Sequence, residues 1–125
     1  MNPKPYFLLF ACIGLFLACS SDDADELQLN DCPITQGISP NNDGLNDNFD
    51  LSCLAERTGI ANLEIFDRNG IQVYERANYI DEFVGKNNDG DDLVTGTYFY
   101  VISFQAEDPE YGSEAQGSLY INVEQ

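Results

Sequence analysis

The chain has 125 residues, of which 43% are hydrophobic and 12% aromatic, so it has material for one domain with a packed core and not for two. Against 5 Lys plus Arg stand 22 Asp plus Glu, a formal charge of -17 that repels nucleic-acid phosphate and excludes DNA and RNA as partners. Histidine is absent, which removes the commonest general base and zinc ligand, and nothing marks a cleft around paired carboxylates, so the expectation is a protein that is not an enzyme.

The N-terminus, residues 1–18, reads as a signal peptide. Lys4 supplies a positive start, and Tyr6 to Ala18 form one uncharged apolar run. That run is shorter than the roughly 20 residues a membrane-spanning helix needs, and it stops at Ser20, Ser21, Asp22 and Asp23. The junction Phe16-Leu17-Ala18-Cys19 resembles a bacterial lipobox, which makes Cys19 the expected lipidation site and the first residue of the mature chain. Leu9-Phe10-Ala11-Cys12 fits the pattern more closely on paper, but cleavage there would leave too little apolar length before the site and an apolar tail after it. The plain alternative is ordinary secretory cleavage near the same place. Several acyl chains hold a protein on a membrane almost permanently, since each buried methylene contributes about 0.8 kcal/mol. Residues 19–31 then form an acidic tether. Its Ser-Ser-Asp-Asp-Ala-Asp-Glu run resembles the signal that sends lipoproteins of Bacteroidota to the outer face of the outer membrane, and it is equally a solvated spacer.

Of four cysteines, Cys12 leaves with the signal and Cys19 is acylated, so Cys32 and Cys53 remain to form one disulfide. The closed loop of about 20 residues is worth roughly 3 kcal/mol in the loop-entropy model.

From residue 32 to 125 the apolar residues recur with the period of two expected of strands. Phe49, Leu51 and Cys53 share one face, as do Leu63 with Ile65 and Ile71 with Val73. Asn69-Gly70 between the last two pairs predicts a type I′ hairpin turn. The run from Gly96 to Gln105 predicts a central strand covered on both faces, with the final run from Gly117 to Val123 pairing to it after a polar loop. Helix is expected only as a turn between Leu54 and Ile60. The fold class that follows is all-β, an immunoglobulin-like β-sandwich of about six or seven strands.

Two loops concentrate Asn, Asp and Gly, at residues 39–50 and 85–92. Oxygen-rich loops around a glycine invite calcium, which makes Asn41, Asp43, Asp47, Asp50, Asp89 and Asp91 candidate ligands, with Asn87 and Asp92 beside them. The same residues also make tight turns by capping their own backbone with no metal at all. Calcium is therefore a possible cofactor, and no other is indicated.

The order of these segments resembles the gliding motility-associated C-terminal domain of Bacteroidota, also called the type B sorting domain of type IX secretion. The resemblance covers roughly residues 34–123. It is carried by Ile38-Ser39-Pro40-Asn41-Asn42-Asp43-Gly44-Leu45-Asn46-Asp47, by Leu63-Glu64-Ile65-Phe66-Asp67-Arg68-Asn69-Gly70, and by Asn88-Asp89-Gly90 with Gly96-Thr97-Tyr98-Phe99-Tyr100. Departures are Asn69 where the family has an aromatic, and Phe83 or Val84 where it has Trp. The resemblance implies a module recognised by the outer-membrane translocon at the end of a large secreted protein. Here the expectation is a domain without a passenger, closing on Val123-Glu124-Gln125, for which cargo sorting is not the whole role. Two functions follow. One is a lipid-anchored protein of the outer membrane, at the cell surface, whose domain meets type IX secretion or gliding proteins or serves attachment. The other is a calcium- or glycan-binding surface module in which Tyr74, Tyr79 or Tyr111 contacts sugar.

Overall fold

In a computed structural model the described residues are 31–123. Their elements in chain order are β1 (Gly37–Ile38), α1 (Ser52–Arg57), β2 (Ile60–Phe66), β3 (Gln72–Ala77), β4 (Gly96–Asp108) and β5 (Gly112–Ile121). The strands form one five-stranded sheet in the order β1-β5-β4-β2-β3. β1 lies parallel to β5, and every other pairing is antiparallel. The all-β class expected from the period-two pattern is what the chain adopts. The count is five strands in one sheet, not six or seven, because the segments facing that sheet are irregular chain rather than further strands.

β4 is the centre because its β-branched and aromatic run suits a pleated, half-buried surface. Its alternation sends Tyr98, Tyr100, Ile102 and Phe104 to one face, where they meet Leu63 and Ile65 of β2 and Ala115, Leu119 and Ile121 of β5. Register places Leu63 opposite Ile102, Ile65 opposite Tyr100, and Tyr98 opposite Leu119. Burying side chains of this size stabilises the fold by roughly 1.5–3 kcal/mol each. Gly117 lies opposite Tyr100, and a Cβ there would run into the Tyr100 ring, so this strand position requires glycine for a close approach.

The second layer consists of two irregular segments lying over that face. Phe49 and Leu51 belong to one, and Tyr79 and Phe83 to the other. The two segments bond to each other, Phe49 N–H to the Phe83 carbonyl at 3.0 Å and Leu51 N–H to the Ile80 carbonyl at 2.9 Å. The Phe49 ring meets Tyr100 with centroids 5.4 Å apart, and Phe83 meets Tyr74 at 4.7 Å. The Tyr79 hydroxyl is the polar pin of this layer. It donates to the Phe49 carbonyl at 2.6 Å and accepts the Phe83 N–H at 2.9 Å. Burial raises its pKa far above the usual phenol range, against the opposing effect of the Phe83 N–H.

Three local expectations are corrected. Phe49 and Leu51 are buried as their spacing implies, but Cys53 leaves that face because α1 begins at Ser52, whose N–H and hydroxyl both bond the Asp50 carboxylate at 3.0 and 2.7 Å. The β2–β3 turn is not type I′. Gly70 alone of the Asn69-Gly70 pair has positive φ, at 82°, and the Gly70 N–H reaches the Asp67 carbonyl at 2.9 Å while the Asp67 N–H reaches the Ile71 carbonyl, also at 2.9 Å. This is a three-residue loop with a left-handed glycine, and it brings a bulge in which Val73 is the extra residue between the pairs Ile65–Tyr74 and Phe66–Gln72. The bulge inverts the parity of β3, so Tyr74 turns inward while Ile71 is exposed. β4 is covered on one face rather than two, since Phe99 on its other face is 45% exposed.

Candidate functional site

The domain has two ends with different construction. At the first, the start of the domain is fastened to the β4–β5 hairpin. Cys32 is bonded to Cys53 in α1, with Cα atoms 5.6 Å apart. The Cys32 carbonyl accepts the Tyr111 hydroxyl at 2.9 Å, and its N–H donates to Glu110 Oε1 at 3.3 Å. Beside it Asp108, the one buried acid among the described residues, accepts from Arg57 Nε and Nη2 at 3.1 and 2.7 Å. It also accepts from the Thr58 hydroxyl and from the N–H groups of Glu110 and Tyr111 at 2.9 and 3.0 Å. Burial alone would raise its pKa, but these donors outweigh it and hold the carboxyl at about 2. With every lone pair committed, Asp108 is a structural anion and not an acid–base group.

The second end gathers the loops. In the first of them Asp47 Oδ1 accepts the N–H groups of Asn41 and Asn42 at 3.1 and 2.9 Å, and Oδ2 accepts that of Gly44 at 2.8 Å. Partial desolvation pushes the Asp47 pKa up, and these N–H groups more than reverse it, leaving it below the ordinary carboxylate value. Asn41 Oδ1 takes the Asp43 N–H at 3.1 Å, and Asp43 Oδ1 takes the Leu45 N–H at 2.8 Å. In the later loop Asn87 Oδ1 accepts from both Asp89 and Asp91 N–H at 2.9 Å. Asn88 does something sequence reasoning missed. Its side-chain carbonyl accepts the Glu75 N–H at 2.9 Å and its amide donates to the Glu75 carbonyl at 3.0 Å, so one carboxamide pairs with edge strand β3 as a neighbouring strand would. No sequence signal separates Asn88 from the loop-capping asparagines around it.

The six candidate calcium ligands fall into three places. Asn41, Asp43 and Asp47 share the first loop, Asp50 bonds Ser52 at the start of α1, and Asp89 and Asp91 lie in the later loop. Among the described residues no three His, Cys, Asp or Glu side chains are grouped to hold a metal. Asn41 Oδ1, Asp43 Oδ1, both oxygens of Asp47 and Asp50 Oδ1 accept backbone N–H groups, the arrangement that makes tight turns. Of the tyrosines considered for sugar contact, Tyr74 and Tyr79 are buried, and the half-buried Tyr111 stacks on Phe104 with centroids 6.4 Å apart while bonding Cys32. Cys19 lies outside the described residues.

The three sequence blocks of the resemblance meet at this second end. The hairpin block and the last block face each other across a cleft of about 360 Å³, lined by Asp67, Arg68, Val73, Asp92, Leu93 and Tyr98. The first loop contributes Pro40, Asn42 and Asp47 to a neighbouring hollow of about 250 Å³ that shares Asp92 and carries Lys86. Lys86 Nζ lies 2.6 Å from Asp92 Oδ1, which joins the two hollows.

The domain is thus a disulfide-fastened sheet with short, self-capped loops gathered at one end. The family model of the CHU_C type IX secretion signal domain matches residues 32–121, and the chain belongs to that family. A domain of this kind belongs to an exported or cell-surface protein and associates it with the type IX secretion system. No curated protein matches the chain. Among the described residues no helix is long and apolar enough to cross a membrane.

Proposed function

We propose that this is a non-enzymatic lipoprotein of the outer membrane, held at the cell surface through an acylated Cys19, whose domain works by binding proteins of the secretion or gliding machinery. The observation that carries the reading is the match to a type IX secretion signal domain over residues 32–121, just after a lipobox-like Cys19 and an acidic tether. The two-ended construction supports it. Cys32 is fastened at the hairpin end, and the loops that would meet a partner gather at the other. The commitment of Asp108 to Arg57, Thr58 and backbone, together with the absence of histidine, supports a role without covalent chemistry.

Protease shaving of intact cells, followed by mass spectrometry of the mature N-terminus, tests this directly. The expected result is a released domain and a residual N-terminal peptide that starts at an acylated Cys19. An unacylated chain protected inside the periplasm would overturn it.

A further inference from the structure

The face of the sheet turned away from the core has its own pattern. Register sets Phe66 of β2 beside Phe99 of β4 and Phe99 beside Ser118 of β5, with Tyr120 opposite Thr97 in the next row. Phe99 and Tyr120 are 45% and 48% exposed, while Phe66 and Val101, beside Phe99 on the side away from Tyr120, are half-buried. A hollow of about 380 Å³ lies beside Phe99, against Val101, Gln116 and Ser118. On one side of this apolar centre, in the next two rows, stand Glu64, Glu75 and Glu114. Glu64 and Glu75 are directly opposite in the β2–β3 register, a like-charge placement that destabilises a sheet.

The carboxylates of Glu75 and Glu114 bond only neutral amides, Asn62 and Gln72 for the first and Gln116 for the second. Strands β2 to β5 carry a single cation, Arg76, and register puts it opposite Leu63 on the core face, where it pairs with Glu82 at 3.4 Å. The open face therefore offers an apolar centre flanked on one side by acids, with no cation among the described strand residues of that face. Burial of the aromatic centre would supply affinity, and a cation set between Glu64 and Glu75 would relieve their repulsion and fix orientation.

We propose that this face docks a protein surface of opposite design, a flat apolar centre flanked by Lys and Arg. The inference rests on the reading that the domain works by contact, and it names the chemistry of the partner. Membranes fit less well, because anionic headgroups would meet three carboxylates. A second copy of the chain would set the same acids against each other.

Photo-crosslinking tests it. The whole protein, purified from its own cells, carries p-benzoylphenylalanine at position 99, 120 or 80. Ile80 is 45% exposed and belongs to the layer on the opposite side of the sheet. Each form is irradiated with isolated envelopes of a strain that lacks the protein. The expected result is a protein adduct at positions 99 and 120, absent at 80, that maps to a peptide rich in Lys or Arg. Its yield should fall at least about tenfold in about 0.5 M salt and in the variant Glu64→Lys with Glu75→Lys. Glu114→Lys provides a second charge reversal should the double variant not fold. Overturning results are the absence of an adduct, equal yield at position 80, an adduct on lipid, glycan or the chain itself, or a yield indifferent to salt and charge. Because the protein is added from outside, this experiment does not depend on export. Failure of the shaving test alone would remove the anchored surface reading and leave the docking face standing.

Discussion

Asp108 shows how one carboxylate can govern a whole end of the domain. Its side chain has no exposed area, and Arg57 opposite it is 16% exposed, so the pair is desolvated and screened little by salt. Removing Asp108 would strip Arg57 of its shorter ion pair, leaving it Glu110 at 3.3 Å, and would take the acceptor from the Thr58 hydroxyl and from the N–H groups of Glu110 and Tyr111. We expect Asp108→Ala to lower unfolding free energy by about 3 kcal/mol, read by urea denaturation at neutral pH. The folded pKa, about 2, is below the unfolded value of about 3.9, so this stability is complete above pH 4 and is lost as pH falls from about 4 toward 2. In Asp108→Ala that acid limb should flatten. Asp47 makes the contrasting case. It is at the surface, and its oxygens already hold three backbone N–H groups. Calorimetric titration with calcium should therefore give no heat and no shift in melting temperature for the native protein, whereas tight binding abolished by Asp47→Asn would establish the first loop as a calcium site.

Edge strands invite unwanted pairing, and β3 is one of them. Asn88 blocks that edge at Glu75 from a loop 13 residues downstream. We expect Asn88→Ala to cost about 1 kcal/mol and to promote self-association, visible as larger species in sedimentation velocity at high protein concentration. Much of this architecture was legible in the sequence. β2 follows directly from alternation and β4 from its β-branched and aromatic run, and the buried row of Leu63 and Ile65 is the one that period two implies. What escaped was set by single backbone events. A bulge at Val73 inverted β3, and an Asp50–Ser52 bond started a helix where Cys53 continued an alternating pattern. Alternation cannot report either, because both arise from hydrogen bonds that only the assembled turn reveals. The loop residues were legible as turn formers, but the partner of each carboxylate and carboxamide was not.

At the scale of the molecule the acidic composition is compatible with a core because nearly all of the charge is at the surface, with Asp108 as the buried exception among the described residues. The cystine provides what a modest core cannot. We expect Cys32→Ser with Cys53→Ser to lose about 3 kcal/mol and to melt on the order of 10 °C lower, measured by thermal denaturation with and without reductant on the native protein. A native protein indifferent to reductant would show that Arg57, Asp108 and Tyr111 hold that end without the bond.

The position of the cystine matters beyond its stabilisation. Between Cys32 and Cys53 lie β1, which has only two residues on the sheet, and the whole first loop. Tension arriving from upstream of Cys32 passes across the sulfur bridge directly into α1, so the intervening 20 residues carry no load. The chain can therefore be tugged by whatever it is attached to without peeling β1 or distorting the first loop.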